Sequence, residues 1–105
     1  MSVSTHVLDA AMGRPAMGIA VRLFAGDVLI AEGVTDPDGR CRLAEGATAA
    51  GTHRLVFSTG PWFAEQGREA FYPEVVVTFA VQEPADHHHV PLLLAPFAYS
   101  TYRGS

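Results

Sequence analysis

Short apolar runs rich in Val, Leu, Phe and Thr recur along this chain, and Gly, Pro and Asp residues separate each run from the next. Side chains of the first group favour strands and those of the second favour turns, so the pattern is typical of an antiparallel sandwich or barrel. Helical periodicity is nearly absent. The sequence therefore predicts an all-β fold of about eight strands, over residues 3–8, 19–24, 28–34, 40–43, 53–58, 74–81, 87–94 and 99–103.

Two turns and one helix connect these runs. Gly26-Asp27 is a candidate for a tight turn, and Asp36-Pro37-Asp38-Gly39 is a turn in which Pro fixes φ and Gly accepts a positive φ. Pro suits the first turn of a helix and Gly suits its end, so the sequence predicts one short helix over residues 61–67. We interpret its Pro61-Trp62-Phe63 segment as an anchor on the core, with ligand contact as the alternative.

The chain has 105 residues, enough for one domain that buries roughly two-thirds of its unfolded surface. Its 49% hydrophobic and 17% charged residues are typical of an ordered globular protein. The net charge is -4, with seven Arg and no Lys, so no basic stripe is available for nucleic acid. No apolar run approaches the roughly 20 residues that cross a bilayer, and we expect a soluble, cytoplasmic protein with neither nucleic-acid nor membrane partners.

Cys41 is the one cysteine of the sequence. It cannot form an intramolecular disulfide, and a lone thiol fits a reducing compartment. We interpret it as a small buried hydrophobe. The alternative is a catalytic nucleophile activated by Arg40 and Arg42, but a nucleophile also needs a partner base, which the local sequence does not reveal.

Two of the runs carry information about facing, because side chains alternate between the two faces of a strand. In residues 74–81 both faces are largely apolar, which predicts a strand covered on both sides. In residues 87–95, His88 and the even-numbered aliphatic residues are assigned to the core. The outer face then carries His87, His89, Pro91, Leu93 and Ala95.

An apolar outer face around Leu93 and Ala95 is unusual for a monomer. It indicates a subunit interface with His89 at its polar edge. The alternative is a loop that covers this face.

Histidine and arginine are the main candidates for catalysis, since the sequence has no Gly-rich phosphate loop, no Gly-x-Ser-x-Gly elbow and no Cys-x-x-Cys pair. His87 and His89 project to one side and, with His6, form a potential zinc ligand set. A polar strand start explains the cluster more simply, because no carboxylate or Cys at ligand spacing completes the set. His6 and Arg40, each taken alone, are explained as a structural histidine and a surface charge.

The end of the sequence looks like structure rather than a frayed tail. The apolar run over residues 90–94 continues through Pro96-Phe97 into Tyr99-Ser100-Thr101-Tyr102-Arg103-Gly104-Ser105 with nothing beyond it. A terminal Gly-Ser is also typical of a cloning scar, which is the alternative.

Five segments, in order along the chain, resemble the signature blocks of the transthyretin-like 5-hydroxyisourate hydrolases. They are His6-Val7-Leu8-Asp9, Asp38-Gly39-Arg40, Phe71-Tyr72-Pro73-Glu74, His89-Val90-Pro91-Leu92-Leu93-Leu94 and Tyr99-Ser100-Thr101-Tyr102-Arg103-Gly104-Ser105. Members of this family end in the same Tyr-Arg-Gly-Ser tetrapeptide, so the resemblance implies that the ending is native. It also implies the transthyretin fold, an eight-stranded antiparallel β-sandwich with one short helix, as a single domain over residues 1–105.

The resemblance implies an enzyme of urate and purine degradation. Members of the family hydrolyse 5-hydroxyisourate, the unstable product of urate oxidation, to 2-oxo-4-hydroxy-4-carboxy-5-ureidoimidazoline by opening a ring amide. They need no metal or organic cofactor. They assemble as homotetramers, dimers of dimers with active sites along the channel between the dimers, and the apolar outer face around Leu93 agrees with that assembly.

The catalytic residues that the resemblance implies are His6, Arg40, His89 and Ser105. Those it implies for substrate binding are His6, Arg40, Tyr102, Arg103 and Gly104. Water attack on a ring carbonyl needs a base of near-neutral pKa, which an imidazole supplies, and a cation or donor for the developing oxyanion, which suits arginine. Which histidine is the base is left open, as is whether Ser105 acts through its hydroxyl, its N–H or its terminal carboxylate.

Two other functions remain as alternatives. A transthyretin-type carrier binds a small aromatic ligand in the same channel without turnover, although carriers lack the complete residue set above. A non-catalytic sandwich module is the other, because residues 35–40 and 50–55 resemble the turn patterns of such modules. The hydrolase interpretation further predicts that deleting Ser105, or adding residues after it, impairs activity far more than stability.

Overall fold

The computed structural model describes residues 2–44 and 49–105. Two β-sheets pack face to face. Their strands, in chain order, are β1 (Ser2–Asp9), β2 (Arg14–Pro15), β3 (Ala20–Ala25), β4 (Val28–Val34), β5 (Arg40–Ala44), β6 (Gly51–Phe57), β7 (Val75–Val81), β8 (His87–Ala95) and β9 (Ala98–Thr101). The helix α1 (Thr59–Glu65) lies between β6 and β7. The predicted all-β sandwich with one short helix is confirmed.

The five-stranded sheet is built around β1. One edge of β1 pairs antiparallel with β5 and with β2, and its other edge pairs parallel with β8, to which β9 is joined as a hairpin. The four-stranded sheet has the order β4-β3-β6-β7, with antiparallel pairing throughout. The β1–β8 pairing positions the site, because it joins residues as distant in sequence as Ser4 and His89, 85 positions apart.

Alternation of side chains along the strands separates the core from the outside. In β1 the odd-numbered residues from Val3 to Asp9 are buried, and the even-numbered residues are half-buried. In β8 the even-numbered residues point inward, and His88 is only 5% exposed, so the facing predicted for this strand is confirmed. The largest fully buried side chains include Phe57, Phe63, Ile19, Leu23, Leu55, Leu92 and Leu94.

The strand bounds lie within two residues of the predicted ones, with two differences in detail. The structure adds a ninth strand to its described part, Arg14–Pro15, which pairs with the end of β1 and is too short to give a sequence signal. The last strand ends at Thr101 rather than at residue 103, and Gly104 alone forms a further bridge to His89.

The helix spans Thr59–Glu65 rather than residues 61–67, because the chain is already helical before the proline. Phe63 is 1% exposed, and Nε1 of Trp62 donates to the carbonyl of Met17 at 2.7 Å, so the interpretation of this segment as an anchor is confirmed. In the described ranges, no helix has both the length and the apolar character needed to cross a membrane.

The prediction that residues 74–81 are covered on both sides is wrong for the single chain. Val75 and Val81 are buried, but Val76 on the opposite face is 40% exposed, and Thr78 is exposed as well. The reason is that β7 is the edge strand of its sheet, and the two sheets pack against each other through their inner faces.

Candidate active site

Three adjacent strands bring the predicted catalytic side chains to the outer face of the five-stranded sheet. β1 lies between β5 and β8, so His6 is the cross-strand neighbour of Arg40, and Ser4 is the neighbour of His89. These residues alternate along their strands with buried ones, so their side chains point away from the core. The structure thus gathers His6, Arg40 and His89 in one area of this face.

A tight turn fixes the backbone at Arg40. Oδ1 of Asp36 accepts hydrogen bonds from the N–H groups of Asp38 and Arg40, both at 2.9 Å, and the Asp36 carbonyl accepts one from Gly39 at 2.8 Å. Gly39 has φ +78°, and a Cβ there would lie 2.4 Å from the Val7 carbonyl oxygen. Glycine is therefore required at this position, and its close approach to Val7 lets the start of β5 pack against β1. The predicted turn is confirmed.

His89 is held from two sides. Its Nδ1 lies 2.8 Å from Oγ of Ser4, and its carbonyl accepts a hydrogen bond from the N–H of Gly104 at 2.8 Å. A Cβ at Gly104 would lie 2.5 Å from Cδ2 of the His89 ring. Only glycine lets the terminal segment approach the imidazole this closely, so the ring and the chain end fix each other's position.

Burial and positive neighbours lower the pKa of His89 below its ordinary value of 6.5. Burial is the largest cause, because it disfavours the charged imidazolium, and Arg40, His87 and His6 add electrostatic repulsion. His89 is therefore mostly neutral near pH 7. The neutral form is the one that accepts a proton from water.

Two cavities meet at His89. The first has a volume of about 230 Å³ and is lined by Ser4, Thr5, Asp36, Arg40, Cys41, Arg42 and His89. The second, of about 320 Å³, opens between the sheets and is lined by residues 77–80, 88–90 and 101–103. One side of the imidazole thus meets charged and hydroxyl groups, and the other meets a largely apolar space.

The terminal tetrapeptide reaches His89 through Gly104. Tyr102, which is 59% exposed, and Arg103 line the cavity between the sheets, and Ser105 is exposed. Within residues 2–44 and 49–105 of one chain, the cavity beside Arg40 therefore does not include the side chains of Tyr102 or Arg103.

Three other candidates lie in the core. His88 and His53 are 5% and 2% exposed, and Nδ1 of each lies 3.1 Å from a backbone carbonyl oxygen. Burial raises the pKa of the Cys41 thiol, and the Asp36 carboxylate acts in the same direction. A raised thiol pKa disfavours the nucleophilic alternative, and the interpretation of Cys41 as a small buried residue is confirmed.

His87 lies at the exposed end of the same face. Its ring stacks on that of His89 with centroids 6.2 Å apart, and its Nε2 lies 3.2 Å from Oγ of Ser4. In the part of the chain that the structure describes, no group of three or more His, Cys, Asp or Glu residues is arranged to hold a metal ion.

Two supporting groups of the site have little or no sequence signal. Ser4 shares a face with His6, which alternation shows, but its contacts with His87 and His89 depend on the distant pairing of β1 with β8. The sequence alone therefore identifies Ser4 only as an outward residue.

Asp9 is the second group that sequence reasoning missed. It is 1% exposed, and its Oδ2 lies 2.7 Å from Nη1 of Arg68, while Oδ1 accepts the N–H groups of Ala11 and Met12. Burial acts to raise the pKa of Asp9, but Arg68 and these hydrogen bonds outweigh burial and lower it. This pair of buried Asp9 and half-buried Arg68 anchors the end of β1 and thereby supports the strand that carries His6.

Comparison with known proteins gives consistent matches over nearly the whole chain. The HIUase/Transthyretin family model matches residues 3–104. A 5-hydroxyisourate hydrolase of Caulobacter vibrioides is 45% identical over 112 residues, which cover 98% of this chain and 97% of that protein. A 5-hydroxyisourate hydrolase of Mus musculus is 40% identical over 111 residues, which cover 98% and 94%.

Solved structures show the same fold. The 5-hydroxyisourate hydrolase of Klebsiella pneumoniae superposes with a TM-score of 0.93 at 39% identity, over the full length of both chains. Sea bream transthyretin in complex with thyroxine superposes with a TM-score of 0.86 at 32% identity, over 97% of this chain and 93% of that one. The architecture is thus shared by hydrolases and by a thyroxine-binding protein.

Proposed function

The chain belongs to the HIUase/Transthyretin family, and from this membership we infer that it hydrolyses 5-hydroxyisourate in purine degradation. The observation that carries this conclusion is the identity of 40% and 45% with 5-hydroxyisourate hydrolases from mouse and Caulobacter vibrioides over nearly the whole chain. The product is 2-oxo-4-hydroxy-4-carboxy-5-ureidoimidazoline, formed when water opens a ring amide.

His89 is our choice for the general base. Its lowered pKa keeps the imidazole neutral near pH 7, so a ring nitrogen can take a proton from water while the water oxygen attacks the ring carbonyl. When the tetrahedral intermediate collapses, the carbon–nitrogen bond of the amide breaks, and the same imidazole returns a proton to the leaving nitrogen. One histidine thus serves both halves of the reaction.

Arg40 and His6 are proposed to stabilise and orient the substrate. They are cross-strand neighbours beside the base, and the Arg40 guanidinium supplies a planar pair of donors for a carbonyl oxygen that gains negative charge. His6 lies on the same face and provides a further donor or acceptor for the substrate ring. Arg40 lines the same cavity as His89, and both Arg40 and His6 act to lower the pKa of His89.

The terminal tetrapeptide is proposed to complete the site. Gly104 contacts His89 directly, whereas Tyr102 and Arg103 line a different cavity from Arg40 within one chain. Substrate contacts from Tyr102, Arg103 and Ser105 would therefore come in part from a second copy of the chain.

A carrier function without turnover is not favoured. Sea bream transthyretin is 32% identical to this chain, less than the mouse and Caulobacter hydrolases. A carrier also has no use for a base of lowered pKa placed beside an arginine, a combination that is typical of catalytic sites.

The decisive assay generates 5-hydroxyisourate in situ from urate and follows its absorbance with and without the protein. We expect decay much faster than the spontaneous rate. Decay at the same rate in both samples would contradict the hydrolase function.

His89→Asn and His6→Asn should abolish most of the acceleration while keeping the wild-type melting temperature, because both side chains lie outside the core. Full activity in both variants would show that the site lies elsewhere.

We also propose that the domain over residues 1–105 works as a homotetramer, a dimer of dimers. The outer face that carries the site continues into an apolar area around Leu93, Ala95 and Ala98, flanked by Tyr99 and Phe97, which are 41% and 62% exposed. Contiguous apolar surface of this kind is typical of an interface.

Light scattering tests the assembly. The wild type should have four times the mass of one chain, and Leu93→Asp should dissociate it and lose activity together, because a carboxylate would be buried in the interface. A wild type that is monomeric and fully active would contradict the tetramer.

A cytoplasmic location is a further proposal. Its support is that Cys41 is a free, buried thiol, which suits a reducing compartment. Recovery of the protein with a cytoplasmic marker on cell fractionation is the expected result.

A further inference from the structure

Ser4 lies between two imidazole rings on the outer face of the five-stranded sheet. Its Oγ is 2.8 Å from Nδ1 of His89 and 3.2 Å from Nε2 of His87. Nδ1 of His87 contacts Oγ of Ser2 in turn. His89 and Ser4 are half-buried and His87 is exposed, so these four side chains form a continuous path from the site to solvent.

The strand register explains why this path exists. In the parallel pairing of β1 with β8, Ser2 lies opposite His87 and Ser4 lies opposite His89. Alternation places all four side chains on the outer face, each serine beside one histidine and Ser4 within reach of both. The path therefore requires two serines that are two residues apart on β1 and two histidines that are two residues apart on β8.

A hydroxyl has one hydrogen to donate, so Ser4 donates to one ring and accepts from the other. If Ser4 donates to His87, then Nδ1 of His89 carries the hydrogen and Nε2 of His89 keeps its lone pair, which is the basic form. If Ser4 donates to His89, the hydrogen of neutral His89 is on Nε2, which then cannot accept a proton. One hydroxyl therefore couples the tautomers of both rings.

We propose that Ser4 is a positioning residue that selects the basic tautomer of His89 and links it to His87 as a proton relay. This inference rests on the hydrolase function proposed above and extends it to two residues outside the catalytic set. The role of Ser4 is carried out through the imidazole of His89.

The relay balances as a series of proton shifts. Nε2 of His89 takes a proton from the attacking water, and the Nδ1 proton passes to Oγ of Ser4. The hydroxyl proton of Ser4 passes to Nε2 of His87, which releases its Nδ1 proton through Ser2 to solvent. When Nε2 of His89 gives its proton to the leaving nitrogen, the relay runs in reverse, so one proton leaves during attack and one returns during ring opening.

The surroundings explain what the relay achieves. The neighbouring strands place Arg40 (β5) and His6 and Ser4 (β1) beside His89. His87 on the same strand and the terminal segment also face it, and Asp36 lines the same cavity. An imidazolium beside Arg40 in a half-buried site is unfavourable, which the lowered pKa of His89 reflects. Export of the proton to exposed His87 avoids holding two positive charges together.

Three variants of the full chain test the proposal, with kcat and KM measured on 5-hydroxyisourate generated in situ. Ser4→Ala should lower kcat on the order of tenfold with KM changed less than about twofold, because only the proton transfer is impaired. Ser4→Thr keeps a hydroxyl and should restore most of kcat. His87→Gln should also lower kcat. Ser58→Ala is the matched control, since the Ser58 hydroxyl makes no side-chain cap bond to α1.

Nitrogen NMR of the imidazoles gives a readout that packing alone does not move. In the wild type the hydrogen of neutral His89 should be on Nδ1, and in Ser4→Ala it should shift towards Nε2. A wild-type kcat and an unchanged tautomer in Ser4→Ala would overturn the proposal. Equal losses in Ser4→Ala and Ser4→Thr would assign the effect to packing and would overturn it too.

The remaining outcomes are also decisive. His87 is exposed, so His87→Gln should fold even if Ser4→Ala does not, and a wild-type kcat for His87→Gln across the pH range would disprove the relay. If the wild type does not accelerate decay of the substrate, the hydrolase function fails instead. The tautomer of His89 then still reports separately on Ser4.

Discussion

The outer faces of the two sheets both carry arginine, but in different surroundings. On the four-stranded sheet, the guanidinium carbons of Arg22 and Arg54 lie 5.6 and 5.2 Å from the centroid of the Phe24 ring. Nη2 of Arg54 also lies 3.8 Å from a carboxylate oxygen of Asp27. Positive charge on this face is therefore matched within the chain by an aromatic ring and a carboxylate.

On the five-stranded sheet, Arg40 lies beside imidazoles instead. It is the neighbour of His6, and its charge helps to lower the pKa of His89. Asp36 is the one carboxylate among the described residues that line this cavity, and its Oδ1 already accepts two backbone N–H groups. This difference between the two faces supports the role proposed for Arg40, in which its charge meets negative charge that arrives with the substrate or forms during the reaction.

The largest expected effect is that of removing Arg40. Arg40→Ala should lower kcat/KM by about 100- to 1000-fold, because the developing oxyanion loses its charged donor, with little change in melting temperature. The matched control is Arg54→Ala on the other sheet, which should keep wild-type kinetics. Equal activity losses in both variants would remove the distinction between the two faces.

Gly104→Ala should have the next largest effect. The new Cβ would lie 2.5 Å from Cδ2 of His89, so either the imidazole or the chain end must move. At the proposed general base, a shift of this size should cost on the order of 100-fold in kcat. The same assay with a parallel thermal melt checks it, and wild-type kcat would mean that the position of His89 is not critical.

Extension of the chain after Ser105 should be less severe. A few added residues leave Gly104 in place but crowd the exposed terminus beside it, and we expect kcat/KM to fall on the order of tenfold. Thermal stability should be unchanged, because Ser105 is exposed. A loss of stability that parallels the loss of activity would contradict a role in the site.

The pH profile should show a smaller effect. The pKa of His89 is lowered, so the neutral form that we propose as the active one persists below pH 6.5 and is lost only as the pH falls through the lowered value. The acid limb of kcat/KM is therefore expected below pH 6.5. His87→Gln removes one neighbour that lowers the pKa of His89, so in this variant the acid limb should move to higher pH. An acid limb above pH 6.5 in the wild type would argue against His89 as the base.

The smallest expected effect is on stability at the four-stranded face. Arg54→Ala removes the guanidinium above Phe24 and its weak ion pair with Asp27, and the free energy of unfolding should fall by about 0.5 to 1 kcal/mol. Urea unfolding measures this. A larger loss would mean that this face contributes more to stability than its exposed position indicates.

Alternation and punctuation in the sequence were enough to predict most strands, their facing and the inward position of His88, because these depend on local patterns. The two-residue strand Arg14–Pro15 and the exposure of Val76 were not predictable, since the first has no period and the second depends on β7 being at a sheet edge.

The candidate site was predictable only through the resemblance of whole segments to a family. His6 and Arg40 taken singly have simpler explanations, and no local pattern shows that Ser4 lies beside His89 or that Arg68 pairs with Asp9, 59 positions earlier. These contacts form between segments that are far apart in the sequence. They depend on how the whole chain folds, and no single residue or local pattern predicts them.

The parallel pairing of β1 with β8 also has a consequence for folding. Ser4 and His89 are 85 positions apart, so β1 gains its partner on this edge, β8, only after nearly the whole chain has been ordered or synthesised. Closing so long a loop costs conformational entropy before the strand contacts can offset it, and folds rich in such long-range contacts form slowly. Until then one edge of β1 remains open, and a nascent chain at that stage is vulnerable to pairing with a neighbour.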